Sequence, residues 1–207
     1  ANPPCVGGAF IKSAPEKDIP DIQIHYVSIA MQDVHGREGV PLEHGFSNLV
    51  YLCRPQSKGH IRLKSSDPND DPLMYPNYFS VEQDLIDTRN GLREARRVFM
   101  QPVFDEYRGK ELKPGPSIDI NNDDELDNWI RETGETLYHP VGTCKMGIDE
   151  LAVTNEHGQV HGLDSLRVVD ASLMPSLIAG NTNAPTIMMA EKISDHINGK
   201  SFLSKEN

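Results

Sequence analysis

Two side chains are suited to proton transfer and oxygen binding: the imidazole of His139 and the carboxamide of Asn183. His139 lies in Glu-Thr-Leu-Tyr-His-Pro-Val-Gly-Thr-Cys-Lys-Met-Gly, from Glu135 to Gly147. Pro140 removes the next backbone donor and biases the histidine toward extended or turn geometry. Gly142 permits a tight turn or a close approach to a ligand, and Thr143 adds a hydroxyl. A histidine presented in this way can face a cleft, and with a reference pKa of about 6.5 it can take a proton near neutrality. Asn183 precedes Ala184-Pro185 and an apolar run, so it reads as the N-cap of a helix with proline in the first turn. The positive end of that helix would lie beside it. Taken singly, His139 also reads as a satisfied loop residue and Asn183 as a plain cap.

The elements that must position these residues emerge from periodicity. Ala9 to Lys12 reads as a short strand after a turn-rich start with Pro3-Pro4 and Gly7-Gly8. Asp21 to Ile29 alternates, Ile22, Ile24 and Tyr26 facing one way and Gln23, His25 and Val27 the other. Met31 to Gly45, with His35 and His44, reads as a long loop. Phe46 to Arg54 and Gly59 to Lys64 are β-rich runs separated by Pro55-Gln56-Ser57-Lys58, which predicts an antiparallel hairpin. Asp67 to Pro76 then reads as loop. Ser80 and Gln83 form a capping-box pattern ahead of Leu85, Leu92, Ala95 and Phe99, predicting a helix with Arg93, Arg96 and Arg97 on a solvated face.

Asp123 to Thr133 is a shorter helix stopped by Gly134, with Leu126, Trp129 and Ile130 on one side. Leu166 to Asp170 reads as a buried strand of the parallel type, ending at Asp170-Ala171-Ser172. Strand ends of this kind are where open α/β sheets bind ligands. Thr186 to Asn198 is the last helix, burying Ile187, Met188, Ala190, Ile193 and Ile197, and Lys200 to Asn207 is a polar tail.

Composition narrows the function. With 31 acidic against 20 basic side chains the net charge is −11, which disfavours nucleic acid and anionic membranes. Cys5, Cys53 and Cys144 are odd in number and hold no CxxC pair, so a reducing, cytoplasmic setting is expected. No apolar run reaches spanning length and none at the start resembles a signal, which leaves peripheral membrane association open. His157 and His161 would bind zinc together only on a helix, and Gly158 and Gly162 argue for turns, so no metal site is expected.

Three ordered blocks carry a resemblance: Tyr138-His139-Pro140-Val141-Gly142-Thr143-Cys144-Lys145-Met146-Gly147, Leu166-Arg167-Val168-Val169-Asp170-Ala171-Ser172-Leu173-Met174-Pro175, and Asn181-Thr182-Asn183-Ala184-Pro185-Thr186. Together they resemble the C-terminal signature of the glucose-methanol-choline oxidoreductases, choline-dehydrogenase-like members above all. Upstream, Lys58 to Leu63, Asp67-Pro68 and Tyr75 to Tyr78 resemble substrate-domain strands of that family. The resemblance implies an enzyme well over twice this length, with an N-terminal unit that binds flavin adenine dinucleotide (FAD). No GxGxxG is present, and Gly7-Gly8 does not open a helix, so the pyrophosphate cradle is missing and FAD binding by this chain alone is expected to be weak or absent.

The implied fold is α+β. Residues 1–135 would form a substrate-binding domain, an antiparallel sheet with helices on one face. Residues 136–207 would carry the catalytic motif and a strand-helix segment that completes an α/β FAD-binding domain. The implied activity is oxidation of a CH–OH group of a small alcohol, with His139 as base, the flavin as hydride acceptor and Asn183 orienting the substrate. Asp170, Ala171, Asn181, Thr182, Ala184, Pro185 and Thr186 would run beside the flavin. A hydroxynitrile lyase of the same family and a non-catalytic binding module or partner subunit are the alternatives.

Overall fold

The computed structural model describes residues 5–30 and 44–200, so most of the loop expected from Met31 to Gly45, His35 included, and nearly all of the polar tail lie outside the described residues. The chain is α+β and divides into two units, Ala1–Lys58 with Asn77–Glu135, and Gly59–Pro76 with Thr136–Asn207. The stretch 59–76, which the sequence reading groups with the first 135 residues, belongs to the second unit.

In the first unit β1 (Cys5–Ile11), β2 (Ile22–Val27) and β3 (Ser47–Leu52) form an antiparallel sheet in that order. β1 starts earlier than the expected Ala9 to Lys12, because β2 also pairs with its glycines, Gly7 opposite Tyr26 and Gly8 opposite His25, and with Cys5 past a register shift. The alternation in β2 lays Ile22 and Ile24 against Ala95 of α1 (Glu82–Phe99), yet Gln23 and Val27 on the other side are buried too.

The expected hairpin does not form. β3 pairs with β2, and the downstream run pairs as β4 (His60–Arg62) with β5 (Leu73–Tyr75), a strand inside the stretch read as loop. The cause is Asp84, which is buried and accepts from the amides of Gln56 at 2.8 Å and Ser57 at 2.7 Å. Those two bonds, with Pro55, draw the chain onto the start of α1 and away from the β3 ladder. The same contact displaces the expected capping box: Ser57 Oγ accepts from the Val81 amide, while Gln83 donates to Asp87 instead.

The arginines of α1 are not a solvated face. Arg89 meets Asp127 at 2.7 Å, Arg93 donates to the Ile120 carbonyl at 2.9 Å, and Arg96 meets Glu111 at 2.8 Å. Only Arg97 fits the expectation, being largely exposed with Glu94 as partner. α2 (Asp123–Thr133) forms where predicted, its start capped by Asn122 Oδ1 on the amides of Asp124 and Glu125. Leu126 and Ile130 then enter a core with Leu85 and Ile120, against which Trp129 packs.

The second unit has little regular structure. Every residue of β4 and β5 is exposed to some degree and none is buried, with the His60 and Tyr75 rings stacked at 4.6 Å. Leu166 to Asp170 forms no strand: only Arg167 makes a bridge, to Gln159, and Leu166 is exposed, there being no parallel neighbour for it among the described residues. α3 (Asn183–Ile197) starts three residues earlier than expected and takes Thr182, not Asn183, as its N-cap. Of its expected buried face only Ile193 is buried; Ile187, Met188 and Ile197 are each more than half exposed. The helix carries more apolar residues than its unit covers, so packing reaches one side only.

Two carboxylates of the first unit give measurable effects. Replacing Asp84 by Asn removes a buried charge that holds two backbone amides, so urea unfolding should show a loss of about 1.5–3 kcal/mol. Burial alone would raise the Asp21 carboxyl, but the hydroxyl and amide of Ser13 and the Lys17 ammonium outweigh it and hold it below its ordinary value. Its stabilisation is present above the unfolded value of about 3.9 and is lost as pH falls through the lower folded value. Acid titration followed by Trp129 fluorescence should therefore give a shallower loss in Asp21→Asn than in the parent below about pH 4.

Candidate active site

His139 is half-buried on an irregular segment between α2 and the turns beyond it. Tyr138 before it is exposed and takes a positive φ of 62°, with its amide on the Thr136 hydroxyl. Bulky residues rarely adopt this conformation, and where they do the surrounding structure enforces it. Among the described residues neither ring nitrogen of His139 has a hydrogen-bond partner, so the imidazole is left for a ligand.

Long-range backbone pairing fixes the segment immediately after His139. The Cys144 amide donates to the Ser172 carbonyl at 3.2 Å, and the Met146 amide to the Leu173 carbonyl at 2.9 Å. Gly142 turns the chain into this pairing with φ of 89°, a conformation only glycine takes without cost. From the other side Thr154, fully buried, donates its hydroxyl to the Cys144 carbonyl at 3.2 Å, and its own carbonyl accepts the Gly147 amide at 2.9 Å. The His161 ring sits 3.1 Å from the Gly147 carbonyl, which makes it an anchor of that turn.

The segment so reached is the one read as flavin-facing. Asp170 Oδ1 accepts the Ser172 amide at 2.8 Å and caps a single 3-10 turn, Ala171–Leu173, whose Leu173 is fully buried. The structure thus ties the His139 segment to the turn bearing Asp170 and Ala171. Asn181 and Asn183 are exposed and Thr182 is buried. The Thr182 carbonyl accepts both the amide and the hydroxyl of Thr186, at 3.0 and 2.7 Å, which locks the first turn of α3. No hydrogen bond joins His139 to Asn183.

The start of α3 differs from the other helix starts. α1 carries Glu82 and Asp84 in its first turn and α2 carries Asp123, Asp124 and Glu125, whereas α3 has no acidic residue there and no side-chain cap. Ala184 is exposed and Pro185 has no N–H, so the positive end of this helix is left unneutralised. That donor set fits the electron-rich, anionic edge of a flavin.

Thr154 and His161 are organisers that sequence reasoning missed. Neither carries a signal: both sit in an aperiodic run, and their partners lie on backbone distant along the chain. Among the described residues no group of three or more His, Cys, Asp or Glu side chains is arranged to hold a metal ion. None of the helices among the described residues is long and apolar enough to cross a membrane.

Comparison with known proteins adds to this geometry. The family model described as GMC oxidoreductase matches residues 55–190. The oxygen-dependent choline dehydrogenase of Pseudomonas fluorescens (strain SBW25) is 48% identical over 198 residues, which is 96% of this chain and 34% of that protein. That of Cronobacter sakazakii is 47% identical over 199 residues, 96% of this chain and 35% of its own length. The chain therefore spans about a third of the curated relatives it matches. Among solved structures, pyridoxine 4-oxidase from Mesorbium loti superposes with a TM-score of 0.79 at 26% identity, over 94% of this chain and 38% of that one. An Aspergillus oryzae formate oxidase does so at 0.80 and 25%, over 88% and 32%.

Gly142 offers a clean test of the turn. A Cβ there would meet only the Met174 carbonyl, at an ordinary 3.5 Å, so conformation and not space sets the penalty. Gly142→Ala should lose about 1 kcal/mol in urea unfolding, and Gly142→Asn, which tolerates positive φ, should recover much of it. Equal losses would place the cost in packing instead.

Proposed function

The chain belongs to the GMC oxidoreductase family, and on that premise we propose that it is the substrate-binding and catalytic portion of an FAD-dependent enzyme that oxidises the CH–OH group of a small alcohol. Choline is the substrate we favour, because relatives named for it are 46–48% identical to nearly the whole chain. In this reading residues 1–135 shape the substrate site and 136–207 carry the catalytic motif and return to a dinucleotide-binding portion. The complete enzyme works in the cytoplasm.

The observation that carries the reading is the pairing of Cys144 and Met146 with Ser172 and Leu173, which unites the segment of the candidate base with the turn of the candidate flavin contacts. His139, with both nitrogens unengaged, takes the hydroxyl proton of the substrate. Asn183, exposed at the start of α3, donates to the substrate oxygen and holds it. Asp170, Ala171, Asn181, Thr182, Ala184, Pro185 and Thr186 hold FAD, which when bound supplies the acceptor for the hydride. The uncapped start of α3 favours the negative charge that arrives there.

The test joins this chain to a dinucleotide-binding portion and monitors flavin absorbance after choline is added without oxygen. His139→Gln should slow bleaching roughly 10²–10⁴-fold at unchanged flavin content. Full-rate bleaching in that variant would remove His139 from the chemistry. Flavin that stays oxidised in the parent with every alcohol tried, while a cyanohydrin is cleaved, would favour the lyase reading. The 207-residue chain alone should purify without stoichiometric flavin.

A further inference from the structure

We propose that the β4–β5 hairpin, residues 59–76, is a dimerisation arm that pairs antiparallel with the same arm of a second copy of this chain, the acidic tip of each meeting the basic strand of the other. The reaction assigned above does not enter into it. Alternation sorts the arm into two faces: Ile61 and Met74 are cross-strand partners on one, continued by Leu63, while His60, Arg62, Leu73 and Tyr75 share the other. Ile61 is 51% exposed, Met74 66% and Leu63 85%. Two strands alone are marginal in water and need a third strand or an apolar cover. Among the described residues no further strand joins this sheet.

The arm is fixed at both ends although neither face is covered. At its base the His60 and Tyr75 rings stack, and a Cβ at Gly59 would lie 2.0 Å from the Tyr75 carbonyl, so the two strands run in close contact there. At its tip the Ser65 hydroxyl donates to Asp70 at 2.6 Å and accepts the Asp67 amide at 3.0 Å, while Asp67 accepts from the amide and the side chain of Asn69, each at 2.9 Å. An arm ordered in advance loses little freedom when a second one docks on it.

Charge selects the occupant. His60, Arg62 and Lys64 alternate along β4 and just past it, with Lys58 before them in the chain, whereas Asp67, Asp70 and Asp71 stand at the tip. Lys64 is taken by Asp70 at 3.4 Å, which leaves Arg62 and Asp71 with no ion-pair partner among the described residues. An arm basic along one strand and acidic at its tip is complementary to itself. In a two-fold, antiparallel pairing Arg62 of each copy faces Asp71 of the other, so one favourable pair occurs twice. Elsewhere the net charge of −11 opposes association of two copies. The patch is small, at the weak end of specific interfaces, below about 1,200 Å² in total, so the dimer is a transient one.

Sedimentation velocity over a dilution series tests the arm. The parent mass should climb from 23.1 kDa toward twice that value as concentration rises. Ile61→Ser, Arg62→Glu and Asp71→Arg, all at exposed positions, should each weaken the dimer roughly tenfold or more. An equimolar mixture of the Arg62→Glu and Asp71→Arg chains should restore it, because both cross-pairs are then of opposite sign, a rescue that no effect within one chain can imitate. A parent that stays monomeric, a dimer indifferent to all three substitutions, or a mixture no tighter than its components would overturn the proposal. So would a dimer that disappears once a dinucleotide-binding portion is joined to the chain, since that portion would then be what covers the arm.

Discussion

The amides of Cys144 and Met146 donate to the carbonyls of Ser172 and Leu173, and the second unit depends on those two bonds more than on any helix or sheet. Its chain runs from Thr136 to Thr182 without a strand ladder or a full α-helix, so its buried backbone groups must find partners by long-range pairing. Thr154 supplies the third side of the arrangement, with its hydroxyl and its backbone both committed to residues 144–147. A site built this way has a fixed backbone even though its residues show no helical or strand period. His139 extends from that scaffold by a short lead through Gly142, where a positive φ sets the direction.

In the first unit carboxylates play the corresponding part. Asp84 binds the amides of the 55–58 segment, and Asp21 and Asp87 share Ser13 and Lys17, with the Lys17 ammonium 2.6 Å from Asp87. Each carboxylate is nearly sealed from solvent yet fully engaged, which is the condition under which a buried charge organises a fold instead of disrupting it. The consequence is topological: it is Asp84, on α1, that decides which strand β3 can pair with. Two apolar clusters then fill in around positions these polar bonds have already set.

Where local chemistry governs, the sequence is legible. α2 is determined by Asn122, its acidic first turn and three apolar residues at helical spacing, and the Asp170 turn and the family are carried by motif blocks whose order is itself informative. The hairpin, the capping box at Ser80 and the free arginine face depart from expectation for one reason. Each depends on a partner distant in sequence, Asp84 for the first, Ser57 for the second and Ile120 and Glu111 for the third, and periodicity carries no information about such partners. The strand at Leu166 and the buried face of α3 depart for another. Their apolar composition is real, but the surfaces that would match it are absent from the described residues, so Ile187, Met188 and Ile197 remain exposed.

The exposed sides of α3 have a counterpart in how the helix begins. A helix that leaves Ile187, Met188 and Ile197 exposed and whose first turn carries neither acid nor side-chain cap is poorly suited to stand in water: its free N–H groups are unmet and its dipole unbalanced. α1 and α2, in the same chain, solve the problem with acids, and α2 adds a capping asparagine. An acid in the first turn of α3 would stabilise the helix by about 0.3–1 kcal/mol, and it would also repel any negative charge arriving from outside. The first position holds Asn183 instead, a residue that can donate and accept but carries no charge. On the proposed reading this is the arrangement the reaction requires, since proton removal by His139 would build negative charge on the substrate oxygen and a bound flavin that accepted the hydride would then carry it in front of this helix end. The local instability of α3 and its suitability for the chemistry then have one physical origin.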